Sequence, residues 1–164
     1  MSKHFIHSSF REKLIEHLFI GEMLKLSWKS GHCSLEVLKP EVDNAGYDIV
    51  LEDNNIIRHI QLKASKVGGK TSRQTIHTKL LEKPSGCMIW ILFDEVTLDF
   101  HSFYYFGSMA NTPLPSLDNL KTARHTRGNA SGYKSERPNI RVINKGDFVP
   151  YSRLEDLYNV LFTP

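Results

Sequence analysis

Hydrophobic residues recur along this chain in two rhythms. From Phe10 to Lys29 they return every three or four positions, with Ile15, Leu18, Phe19 and Leu26 on one stripe, which predicts an amphipathic helix. Ser8 or Ser9 would cap its start and Gly31 would stop it. Ser34–Lys39, bounded by Gly31 and Pro40, reads as a short strand lying beside the next two apolar runs. Gly46–Glu52 and Ile56–Lys63 are runs rich in Ile, Val and Leu around Asp53-Asn54-Asn55. They predict a β-hairpin, because asparagine tolerates the left-handed backbone of a two-residue turn. Pairing Asp53 with Ile56 then sets Glu52 against Ile57, Val50 against His59 and Asp48 against Gln61.

Further on, Ala64–Gln74 has the glycine and lysine of an exposed basic loop. Thr75–Lys83 is weakly helical and is closed by Pro84 and Gly86. The unbroken apolar run Cys87–Phe93 predicts a strand covered on both faces. Thr97–Phe106 reads as another strand, its aromatics serving packing. Asn111–Gly132 is largely irregular, Asn139–Ile143 strand-like, and Gly146 marks a turn. Ser152–Phe162 closes the chain as a helix, with Ser152 as cap, Glu155 as capping-box partner, and Leu154, Leu157, Tyr158 and Leu161 as the apolar face. No repeat or low-complexity tract divides residues 1–164, so one domain is expected. The class is α/β, a mixed central sheet of about four to six strands flanked by helices.

Composition adds bounds. With 164 residues, 40% apolar and 24% charged, the chain is ordinary globular material. No apolar run reaches spanning length and Met1–Phe10 lacks a signal-peptide core, so a cytoplasmic protein without membrane contact is expected. Cys33 and Cys87 lack metal or redox spacing, and no Gly-x-Ser-x-Gly or His-Glu-x-x-His pattern supports another hydrolytic chemistry. The net charge of +3 hides a segregation. Lys121–Lys145 holds seven basic residues (Lys121, Arg124, Arg127, Lys134, Arg137, Arg141 and Lys145) against Glu136 alone, hence +6, while the remainder is −3. A basic segment on a mildly acidic body suits a polyanion.

The chemistry converges on the hairpin. Residues two apart on a strand share a face, so Lys63 projects beside Gln61 and diagonally from Asp48. Glu22 falls on the stripe with Ile15, Leu18, Phe19 and Leu26, where a carboxylate needs a cation, a metal or a wet cleft. Neighbouring Gly21 would let another element approach.

This order, a helix with an acid, a strand meander bearing Gly46-Tyr47-Asp48-Ile49-Val50 and Ile60-Gln61-Leu62-Lys63-Ala64-Ser65, then helix and strand, resembles the PD-(D/E)xK nuclease superfamily. The likeness covers about Phe10–Phe93 and implies a restriction-endonuclease-like αβββαβ core. It implies Asp48 as central metal ligand, Gln61 and the Leu62 carbonyl as further ligands, Lys63 as catalytic lysine, and Glu22 as accessory carboxylate. Tyr47 stands where proline is usual, and Gln61 where the family has Asp or Glu. The implied activity is Mg2+- or Mn2+-dependent hydrolysis of DNA phosphodiesters, at millimolar-scale metal because glutamine removes one ligand charge. RNA stays open as a substrate and a homodimer as an assembly. Lys66, Lys70 and Arg73 would extend a phosphate track from Lys121, Arg124, Arg127, Lys134, Arg137 and Arg141. The alternative is a nucleic-acid-binding or regulatory module on the same fold, inactive through Gln61.

Overall fold

A computed structural model describes residues 7–42, 44–128 and 130–163, so residues 1–6 of the Met1–Phe10 stretch read for a signal-peptide core lie outside them. In chain order the elements are α1 (Ser8–Ser30), β1 (Glu36–Leu38), β2 (Ile49–Asp53), β3 (Ile56–Lys66), β4 (Arg73–His77), a 3-10 helix (Thr78–Glu82), β5 (Gly86–Phe93) and β6 (Phe100–Gly107). They continue with β7 (Thr122–Arg124), β8 (Glu136–Asn144), a 3-10 turn (Lys145–Asp147), β9 (Val149–Tyr151) and α2 (Leu154–Phe162). One sheet has six strands in the order β1-β2-β3-β5-β6-β9, and a second has three in the order β4-β8-β7. Among the described strands only β3 and β5 run parallel. The class is thus mixed α/β, as the pattern predicts.

β5 organises the layers because it is apolar on both sides. Cys87, Ile89, Ile91 and Phe93 point into a core shared with Ile15, Phe19 and Met23 of α1 and Leu157 and Leu161 of α2. Met88 and Trp90 alternate onto the opposite face and meet Ile76 and Leu80, Leu114 and Leu117, and Ile143 and Phe148. Helices cover one face of the large sheet and the small sheet covers the other. The hairpin has its predicted register, from Asp53 opposite Ile56 to Val50 opposite His59. Both turn asparagines are left-handed, Asn54 at φ 49° and Asn55 at φ 65°.

Several local expectations give way. Thr75–Lys83 is half strand and half 3-10 helix: Thr75, Ile76 and His77 pair with Val142, Arg141 and Ile140, so cross-sheet partners outweigh a weak helical pattern. Asn111–Gly132 contains a strand after all, with Ala123 opposite Arg137. α1 takes in Ser8 and Ser9 and starts from His7, whose carbonyl accepts the Arg11 amide at 3.0 Å, so neither serine caps it. Ser152 does not cap α2 either; the cap position is Arg153. α2 is instead held at its far end by Arg58 of β3. This fully buried guanidinium donates to the carbonyls of Leu161 (2.7 Å), Val160 (3.1 Å) and Ser108 (3.2 Å), placing positive charge where the helix carries its negative pole.

Candidate active site

The hairpin opens into a fork. β2 begins at Ile49, whereas β3 runs past Ile60 to Lys66 alongside β5. The Leu62 amide therefore faces an edge from which the partner strand has already departed. Asp48 fills that place: its backbone amide donates to the Ile60 carbonyl at 2.9 Å, and its carboxylate Oδ2 accepts the Leu62 amide at 2.6 Å. A half-buried peptide donor is thereby satisfied and the carboxylate is held in one orientation. In an extended strand a residue's N–H and C=O leave the same edge, so the Leu62 carbonyl is directed to the Asp48 side as well.

Asp48, Gln61, Leu62 and Lys63 all line one cavity of about 660 Å³. Its far walls are Gln74, Thr75 and His77 of β4, Arg137 and Ile140 at the β8 end, and Glu12, Lys13, Ile15 and Glu16 of α1. Gln61 is tied across the gap, its amide oxygen accepting the His77 amide at a long 3.4 Å. Gly46 lets the incoming chain pass this wall. It has φ +80°, and a Cβ there would stand 3.0 Å from the His77 Cβ.

Glu22 is not part of this arrangement. It lies on the half-exposed flank of α1 and pairs with Lys25 at 3.1 Å. The buried line of α1 is Ile15, Phe19, Met23 and Ser27, with Glu16 beside it, so the true stripe is turned away from Leu18 and Glu22. The helix acids that reach the cavity are Glu12 and Glu16. Glu16 is buried and receives Lys13 at 3.0 Å and Lys39 at 2.5 Å. Burial pushes its carboxyl up, but these hydrogen bonds and charges outweigh that and hold it below the ordinary range. Glu16 falls one place after Ile15, and centring the stripe on Phe19 and Met23 would have singled it out.

The basic residues differ in what they contact. Arg137 reaches the cavity. Arg124 pairs with Glu136 at 3.6 Å, Arg141 donates to the Pro138 carbonyl at 2.6 Å, and Lys145 sits over the Tyr104 ring at 4.6 Å. Lys66 is engaged by Glu95 at 2.7 Å. Lys70, Arg73, Lys121, Arg127 and Lys134 are exposed on loops and strand ends. Cys33 is exposed, while burial pushes the Cys87 thiol up to about 12, so Cys87 is a packing residue.

The donor set bears on which metal could be held. Among the described residues no three His, Cys, Asp or Glu side chains cluster at metal-binding distance. A tetrahedral zinc centre needs such a set. Mg2+ or Mn2+ does not, because these ions keep several waters and take one or two carboxylates with neutral oxygens. Asp48, the Gln61 amide and the Leu62 carbonyl are of that kind.

No protein-family model matches the chain, and no curated protein matches it. Among solved structures it is similar to a bacterial homing endonuclease, I-Ssp6803I, at 21% identity, over 74% of this chain and 82% of that one, with a TM-score of 0.38. A likeness at that level assigns no residue and no activity to this chain. Among the described residues no helix is long and apolar enough to cross a membrane.

Proposed function

We propose that this protein hydrolyses phosphodiester bonds of DNA at the β2–β3 fork, with Mg2+ or Mn2+ as cofactor. The observation that carries the reading is the convergence of Asp48, Gln61 and Lys63 on one open cavity with Arg137 on its wall. Asp48, Gln61 and the Leu62 carbonyl would hold the ion, which when bound supplies Lewis acidity and lowers the pKa of a coordinated water. Lys63 places an ammonium beside the attacked phosphate and offsets the charge that builds on its oxygens. Arg137 binds a flanking phosphate through its planar fork and fixes the register of the strand. Glu12 faces the same space from α1 and takes the accessory acidic role expected of Glu22. Water adds to phosphorus and gives up a proton as one P–O bond to a sugar oxygen breaks, and the leaving oxygen takes up a proton in return.

A second reading has one observation in its favour: Gln61 bridges to the His77 backbone, as a packed structural amide would. The protein would then bind nucleic acid without cutting it. Incubating the whole chain with supercoiled, linear, single-stranded and branched DNA, with RNA alongside, in Mg2+ or Mn2+ separates the two. Cleavage abolished by both Asp48→Ala and Lys63→Ala supports hydrolysis. Cleavage surviving both belongs to another site or a contaminant, and binding without cleavage supports the second reading.

A further inference from the structure

The face of α1 turned away from the core carries its own apolar repeat. Phe10, Leu14, His17, Gly21, Leu24 and Trp28 succeed one another at spacings of four and three residues in alternation, the seam of a coiled coil. Phe10 is 72% exposed, Trp28 75%, Leu24 43% and neighbouring Leu18 38%, although the opposite stripe of the same helix is fully packed. Among the described residues Gly21 has no counterpart: a Cβ added there would meet nothing within 4 Å. A mid-helix glycine weakens a helix, and packing among the described residues gives no reason for one here.

We propose that this face pairs with the same face of a second copy, the two α1 helices lying antiparallel about a two-fold axis that crosses the outer face midway between His17 and Gly21. The symmetry of the stripe selects this occupant. A two-fold interface requires that residue i meet j and j meet i. Read from either end, the seam runs aromatic, Leu, centre, Leu, aromatic, with the same spacings. Antiparallel pairing sets Phe10 on the partner's Trp28, Leu14 on the partner's Leu24, and the bulky His17 on the partner's Gly21, with Leu18 flanking the axis. Lys25 at the rim is already neutralised by its own Glu22.

The area suffices. From their exposures and the size of such side chains, Phe10, Leu18, Leu24 and Trp28 offer roughly 450 Å² per copy. Doubled across the axis and widened by Leu14, His17 and the polar flanks, this reaches the roughly 1,000 Å² expected of a specific interface. Left bare, a stripe of this kind is an aggregation liability.

Sedimentation equilibrium on the whole chain at micromolar concentration tests the proposal, and a particle of twice the chain mass is expected. Trp28→Glu and Gly21→Leu each weaken self-association by about 30-fold or more, the scale of an interface hot spot, with circular dichroism unchanged because neither side chain is part of the core. In a Cys33→Ser background, Leu14→Cys and Leu24→Cys chains cross-link to each other on mild oxidation and neither cross-links to itself. A monomer at these concentrations, a dimer indifferent to both substitutions, or disulfides between identical positions would each overturn the proposal.

Discussion

The Asp48 carboxylate accepts the Leu62 backbone amide at 2.6 Å, standing in for the strand that has left the sheet. One side chain thereby does two jobs, closing a ladder and presenting a fixed negative charge to the cavity. The two jobs separate on substitution. Asp48→Asn keeps an oxygen for the Leu62 amide, so it should lower cleavage about 100-fold with little change in melting temperature. Asp48→Ala should in addition cost about 1–2 kcal/mol in urea unfolding, because a half-buried donor loses its partner.

Gln61→Glu should preserve or raise cleavage and lower the metal concentration that gives half-maximal rate by about tenfold, since a second anionic oxygen joins Asp48. The His77 amide can donate to either side chain, so the fold should survive. A metal titration beside a thermal melt checks both points, and unfolding of this variant would mark Gln61 as a structural amide.

Glu22→Gln should leave cleavage within about twofold and stability within about 0.5 kcal/mol, as befits an exposed pair with Lys25. Glu12→Gln should slow cleavage. Side-by-side rates at matched metal concentration decide which helix acid serves the cavity.

Arg58→Met should destabilise by about 3–5 kcal/mol, because it removes the buried cation that binds the last carbonyls of α2 and leaves them unpaired. Urea midpoints measure it.

His59 sets an acid limit. Burial first, and the Lys83 charge second, hold its imidazole below its ordinary value of 6.5, and its Nδ1 is buried without a partner among the described residues. The folded state thus favours the neutral ring. The stability this contributes is complete above about pH 6.5 and is lost as pH falls toward the lower folded-state pKa, where the unfolded chain binds the extra proton. Urea midpoints between pH 8 and about pH 5.5 should fall for the wild type and flatten for His59→Phe, which keeps a ring against Tyr47.

The hairpin was legible in the sequence because its determinants are local. Two asparagines adopt the turn, period-two alternation fixes the faces, and together they set the register that carries Asp48 and Gln61 to one side. β5 was legible for a similar reason, since an unbroken apolar run can only be covered on both faces. The rotation of α1 was not. That helix is apolar on two sides, one for its own core and one open, and periodicity alone cannot say which stripe faces inward; tertiary packing turned Glu16 and Glu12 toward the cavity and Glu22 away. Nor could the second sheet be read from local pattern. β4 and β7 are short, and they become strands only because β8, distant in sequence from β4 and joined to β7 by an irregular loop, offers them backbone partners and brings Arg137 to the site. Local backbone preference and side-chain alternation therefore set the strands that carry the chemistry, while long-range pairing and packing decided what surrounds them.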